Sequence, residues 1–121
     1  MTPEELKTRT KQFALRVIRL VGALPKTIEG RAIANQLVRS DTSVAANYRA
    51  ACRARSKTEF VAKMGVVLEE ADETQLWLEL ITDAKLLPSK QVQSLLTEAG
   101  ELVAIFVTSR KSASANLKSS I

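Results

Sequence analysis

Helix-breaking residues stand at only a few places in this chain, and that limits its fold more than any other feature. The 121 residues include three prolines, at positions 3, 25 and 88, and four glycines. Alanine, leucine, glutamate, lysine and arginine fill the intervals, a mixture that favours long helices over short strands joined by turns. Helix starts are marked where the breakers fall. Thr2-Pro3-Glu4-Glu5 offers a hydroxyl N-cap, a proline at the first helical position and a glutamate placed to close a capping box. Leu6, Phe13, Val17, Leu20 and Leu24 then recur on one face, and Pro25 ends the segment.

Three further segments follow the same grammar. Thr27 caps a second helix with a seam of Ile33, Leu37, Ser40, Val44, Asn47 or Tyr48, and Ala51. Ser56-Lys57-Thr58-Glu59 is another capping box, so a turn around Ala54-Arg55 separates helix two from helix three. Helix three, predicted to run to about Ala84, carries a core stripe of Phe60, Met64, Val67, Ala71, Leu78 and Ile81. Val61, Leu68, Leu76, Trp77 and Leu80 make it apolar over more surface than one partner helix would cover. Ser89 caps helix four, with Val92, Leu95, Leu96, Ala99, Leu102, Val103 and Phe106 inward. Four amphipathic helices joined by short loops predict an all-α, antiparallel up-down-up-down four-helix bundle over residues 1–112. The small polar residues of 113–121 predict a flexible C-terminal tail.

The stretch from Arg39 to Phe60 is unusual for a bundle helix. Ser40, Ser43 and neighbouring alanines suit close approach of another backbone. Asn47 needs partners for both ends of its amide, which predicts a bond to a neighbouring helix or subunit. The opposite face carries Arg39, Arg49 and Arg53, with Arg55, Lys57 and Lys63 just beyond. Guanidinium forks suit phosphate oxygens, and such backbone contacts need no base-reading aromatic. Two plainer readings compete: a solvated helix face, or pairing with the acidic run Glu69, Glu70, Asp72, Glu73 across an interface. Residues 1–63 hold 13 lysines and arginines against 5 acidic residues, whereas 64–121 hold 5 against 8. That asymmetry suits either nucleic acid or a meeting of unlike halves between subunits.

Catalysis and metal binding find little support. The chain has no histidine, so the usual general base and the Glu-x-x-His pairs of di-iron bundles are missing, and neither metal nor cofactor is expected. Glu98 and Glu101 are expected to face solvent. The single cysteine, Cys52, excludes an internal disulfide and has no adjacent base to activate it. The longest apolar run, residues 102–107, is far short of the roughly 20 residues a membrane span needs. With no secretory pattern at the start, a cytoplasmic protein is expected.

Residues 36–51, QLVRSDTSVAANYRAA, and 56–81, SKTEFVAKMGVVLEEADETQLWLELI, resemble the four-helix-bundle family related to proteins encoded in intervening sequences of bacterial 23S rRNA genes. The elements that carry the resemblance are Arg39-Ser40, Thr42-Ser43, Asn47, Phe60, Lys63, Glu70, Glu73 and Trp77-Leu78-Glu79, within a match over about residues 10 to 108. The resemblance implies a left-handed antiparallel bundle, with Trp77 among its packing residues, and a ring-like homo-oligomer, a pentamer. It carries over no catalytic residue, and it suggests RNA or DNA as a partner. The expectation is a non-enzymatic homo-oligomer that binds nucleic acid through Arg39, Arg49, Arg53, Arg55, Lys57 and Lys63. The alternative is an oligomeric scaffold that binds a protein partner, its charged faces used for assembly.

Overall fold

A computed structural model describes the backbone of residues 1–120 and the side chains of residues 1–117. Four helices follow in order: α1 (Pro3–Val21), α2 (Ile28–Cys52), α3 (Lys57–Asp83) and α4 (Ser89–Ser120). The caps form where the local chemistry places them. Thr2 and Thr27 hold extended backbone, and their hydroxyls accept the amides of Glu5 and Gly30, both at 3.1 Å. Ser56 accepts the amide of Glu59 at 3.1 Å, while Glu59 reaches back one residue further than a capping box requires, to the amide of Arg55 at 3.1 Å. Ser89 is the first helical residue of α4 rather than its cap.

At the end of α3, Lys85 adopts a left-handed backbone with φ of 58°. The amide of Leu86 returns to the carbonyl of Ile81 and that of Lys85 to Thr82, each at 3.0 Å, which closes a Schellman turn with lysine in the place glycine usually takes. α4 runs on through residues 113–120, where the sequence predicts a flexible tail. Ala113, Ala115 and Leu117 are good helix formers, and no glycine or proline interrupts them. Residue 121 of that predicted tail lies outside the described residues.

Cross-helix contacts fix the directions. Arg9 meets Glu98 and Glu101 while Arg16 meets Ser94, so α1 and α4 are antiparallel. Arg110 meets Val61 while Gly100 lies near Gln75, so α3 and α4 are too. Consecutive helices pack side by side, which completes the up-down-up-down bundle. Leu37, Met64, Leu78, Ile81, Leu102 and Phe106 are fully buried along its axis. Each stabilises the fold by about 1.5–3 kcal/mol relative to exposure. Phe106 also lies against Tyr48, ring centroids 5.8 Å apart. Of the inward positions predicted for α2 and α3, Ile33, Asn47 and Phe60 are only half-buried.

Gly30 shows how tightly the α1–α2 turn is folded back. A Cβ there would stand 2.1 Å from the carbonyl oxygen of Pro25. Alanine is a better helix former than glycine by about 1 kcal/mol, yet the overlap is with backbone that cannot swing aside. Gly30→Ala is therefore expected to destabilise the protein by about 1–3 kcal/mol. Urea denaturation checks this, and a variant more stable than the parent would contradict the close approach.

Candidate nucleic-acid interface

The six cations expected to bind phosphate part company in the structure. Arg39 is not free: its guanidinium donates to Glu70 Oε2 at 3.3 Å, more closely to Glu73 Oε1, and through Nε to Gln36 at 3.1 Å. Glu73 also accepts the Trp77 indole N–H at 3.3 Å. The bond from Arg39 is the main cause that holds the Glu73 carboxyl below its usual range. Arg39 thus fastens α2 to α3, and it leaves the phosphate-binding set. The acidic run does pair with the basic helix, but within one chain and through this one arginine. Lys63 stands 3.9 Å from Glu59, one turn away, a loose surface pair.

Arg49, Arg53, Arg55 and Lys57 are exposed, and among the described residues none has a carboxylate within ion-pair distance. The fold adds two cations to them that the sequence reading left out. A shallow groove between α1 and α2 is lined by Lys7, Lys11, Thr42 and Arg49. Lys7 also borders a wider cleft of about 550 Å³ at the end of the bundle, whose lining includes Arg55 and Lys57. Lys7 is common to both, so the cations form one track from the α1–α2 groove to the α2–α3 turn. Two anions border it: Glu4, 83% exposed and paired with Lys7 at 3.1 Å, and Glu59, which accepts the Arg55 amide at the α2–α3 turn. The lysines of α1 were legible as charges, but their alignment with Arg49 depends on the register between two helices.

On the small and polar side of α2, Ser43 and Asn47 are half-buried and Ala46 is exposed. Ser40 is buried, and its hydroxyl lies 2.9 Å from that of Thr74 on α3. Thr74 gives its own proton to the carbonyl of Glu70 at 2.8 Å, so Ser40 is the donor when the two hydroxyls bond. Asn47 does not reach a neighbouring helix. Its amide nitrogen donates to the carbonyl and hydroxyl of Ser43, at 2.9 and 2.8 Å, one turn back on the same helix. Glu98 does not face solvent either: it takes two bonds from Arg9, at 2.7 and 2.6 Å, half-buried between α1 and α4. Gly65 of α3 leaves room for Arg110, whose Nη2 would stand 3.1 Å from a Cβ there and whose Nε donates to the carbonyl of Val61 at 3.1 Å.

Asp41 is the residue the sequence reading missed. It is 1% exposed, and neither carboxylate oxygen has a hydrogen-bond partner. Burial alone pushes its pKa up to about 7. The signal was present, since Leu37, Asp41, Val44, Tyr48 and Ala51 make an uninterrupted stripe of four- and three-residue steps.

Among the described residues, no three histidine, cysteine, aspartate or glutamate side chains gather as a metal site, and no helix is long and apolar enough to cross a membrane. The fold and this surface define a small antiparallel helical-bundle protein with a continuous basic track at one end. The profile of the 23S rRNA-intervening sequence proteins matches residues 5–108, and the chain belongs to that family. A solved structure similar to it is that of a protein with unknown function from the S23 ribosomal protein family of Bacteroides thetaiotaomicron. The two are 30% identical with a TM-score of 0.83, over 92% of this chain and 99% of that one. No curated protein matches the sequence.

Proposed function

We propose that this chain is a non-catalytic, self-associating cytoplasmic bundle that binds RNA through phosphate contacts. The observation that carries the reading is the set of cations around the α1–α2 groove and the end cleft, Lys11, Arg49, Lys7, Arg55 and Lys57, with the exposed Arg53 next to them in the chain. Of these, Lys7 is half-buried and paired with the exposed Glu4, and the others are without an ion pair among the described residues. A local excess of charge of one sign attracts a polyanion, and arginine forks match its oxygens. The family's name, which ties it to an interruption of a ribosomal RNA, supports RNA as that polyanion. Self-association is supported by Val66 and Leu76, 43% and 47% exposed on the outer side of α3, and by the ring of five copies that the family resemblance implies. With no histidine in the chain and no base paired with Cys52, the surface holds and does not transform.

Four phosphate contacts predict that affinity falls about 50-fold for a single strand, and about 150-fold for a duplex, between 50 and 200 mM salt. Arg49→Gln with Arg53→Gln is expected to weaken binding about tenfold at the lower salt and to flatten the salt dependence, the helical content unchanged. Arg39→Gln is the internal control: it should loosen the α2–α3 clasp and leave the salt dependence alone. Absence of binding at 50 mM salt would remove the reading. The exposed apolar side of α3 favours a second reading, a scaffold for a protein partner. Sedimentation separates the two, because in a scaffold the double arginine variant would lose its assembly instead of its RNA.

A further inference from the structure

The cleft at the end of the basic track has a composition that phosphate contact alone does not require. It is bounded by the start of α1, the end of α2, the α2–α3 turn and the middle of α4, and its volume is about 550 Å³, within the range of sites that hold a small organic group. Phe60 and Ile105, both half-buried, give it an apolar floor, and Tyr48 and Ser109 bring hydroxyls to its wall. The charged residues at its border are Lys7, Arg55 and Lys57, with Glu4 paired to Lys7. An aromatic ring beside an apolar floor suits the flat face of a base, hydroxyls suit its polar edge, and three cations suit the phosphates on either side. A duplex keeps its bases stacked inside and would meet only that border.

We infer that the cleft receives one unstacked nucleotide, so that the RNA bound along the basic track is unpaired, a single strand or a loop, and not a continuous double helix. This rests on the phosphate-binding reading and narrows it. Stacking of single bases on aromatic side chains is a general means of holding unpaired RNA. Phe60 is the ring placed for it, because Tyr48 is already packed against Phe106 inside the bundle. The helix α3 begins three residues before Phe60, so the ring and the cations of the α2–α3 turn are held by the same capped segment.

The test compares a 12-nucleotide oligoadenylate with a 12-base-pair RNA duplex by fluorescence anisotropy on the full chain at 50 mM salt. The single strand is expected to bind at least tenfold more tightly. Phe60→Ala should remove about tenfold of that affinity, leave duplex binding as it was and leave the salt dependence of both unchanged, whereas Phe60→Tyr keeps the preference. Ser109→Trp, which fills the cleft from α4, gives the same loss by a route that does not disturb the floor. A 2-aminopurine in the oligonucleotide, quenched by its stacked neighbours when free, should gain emission on binding to the parent and should not with Ser109→Trp. Equal binding of strand and duplex, both salt-dependent, would overturn the inference while the phosphate reading stood. No binding of either would overturn both.

Discussion

Replacing Asp41 with asparagine is expected to make the protein more stable at pH 8 and to leave it little changed at pH 4. The sign follows from where the proton sits. Burial raises the Asp41 pKa from 3.8 to about 7. Below pH 4 the carboxyl is protonated in the folded and unfolded chain alike, and no penalty arises. Between pH 4 and pH 7 the folded chain holds a proton that the unfolded chain releases, so each pH unit costs about 1.4 kcal/mol of stability. The loss is complete above about pH 7 and totals on the order of 4 kcal/mol, a large part of the 5–15 kcal/mol typical of a domain. Asparagine keeps the shape and a buried polar group but cannot ionise. Groups whose carboxylate is stabilised by folding, such as Glu73 beside Arg39, act in the opposite sense at acid pH. They are common to both proteins and cancel in the difference. Urea denaturation of parent and variant across pH 4–8 reads that difference directly, and parallel curves would show that Asp41 is neither dry nor unpartnered.

The second large effect separates two leucines on one helix. Leu78 is 0% exposed and Leu76 is 47% exposed, although both lie in the same apolar stretch of α3. Leu78→Ala is expected to cost about 2–5 kcal/mol, from lost transfer energy and the cavity left among packed neighbours. Leu76→Ala in dilute protein should cost less than about 0.5 kcal/mol. Any further loss for Leu76→Ala that grows with protein concentration belongs to self-association, as mass action requires. Thermal unfolding of the two variants at two concentrations makes both comparisons, and equal losses would contradict the placement of α3.

The elements of the fold were legible because their signals are local. A hydroxyl three residues before a free amide is a cap whatever the rest of the chain does, so Thr2, Thr27 and Ser56 could be read from the sequence. Ser40 was legible as a packing residue because its position in the seam needs only the helical period. What could not be read depends on the register between helices. Arg39 and Arg49 look alike along α2, and only the height of α3 beside it places Glu70 and Glu73 at the first and no acid at the second. Asn47 was assigned a distant partner when its own helix offered a nearer one, the Ser43 carbonyl one turn back. The candidate site was half legible for the same reason: the cations of α2 and of the α2–α3 turn are consecutive in the chain, whereas Lys7 and Lys11 join them across a groove.

Of the neighbouring pairs of helices in the bundle, α1 and α4 approach each other least. Their seam is closed at its edge by the forked bonds of Arg9 to Glu98 and by Arg16 to the Ser94 hydroxyl at 2.9 Å. The bundle therefore resembles a book whose spine is α2 and α3 and whose free cover is α1, latched by two polar clasps. Since Lys7 and Lys11 ride on that cover, its angle sets the gap between them and Arg49.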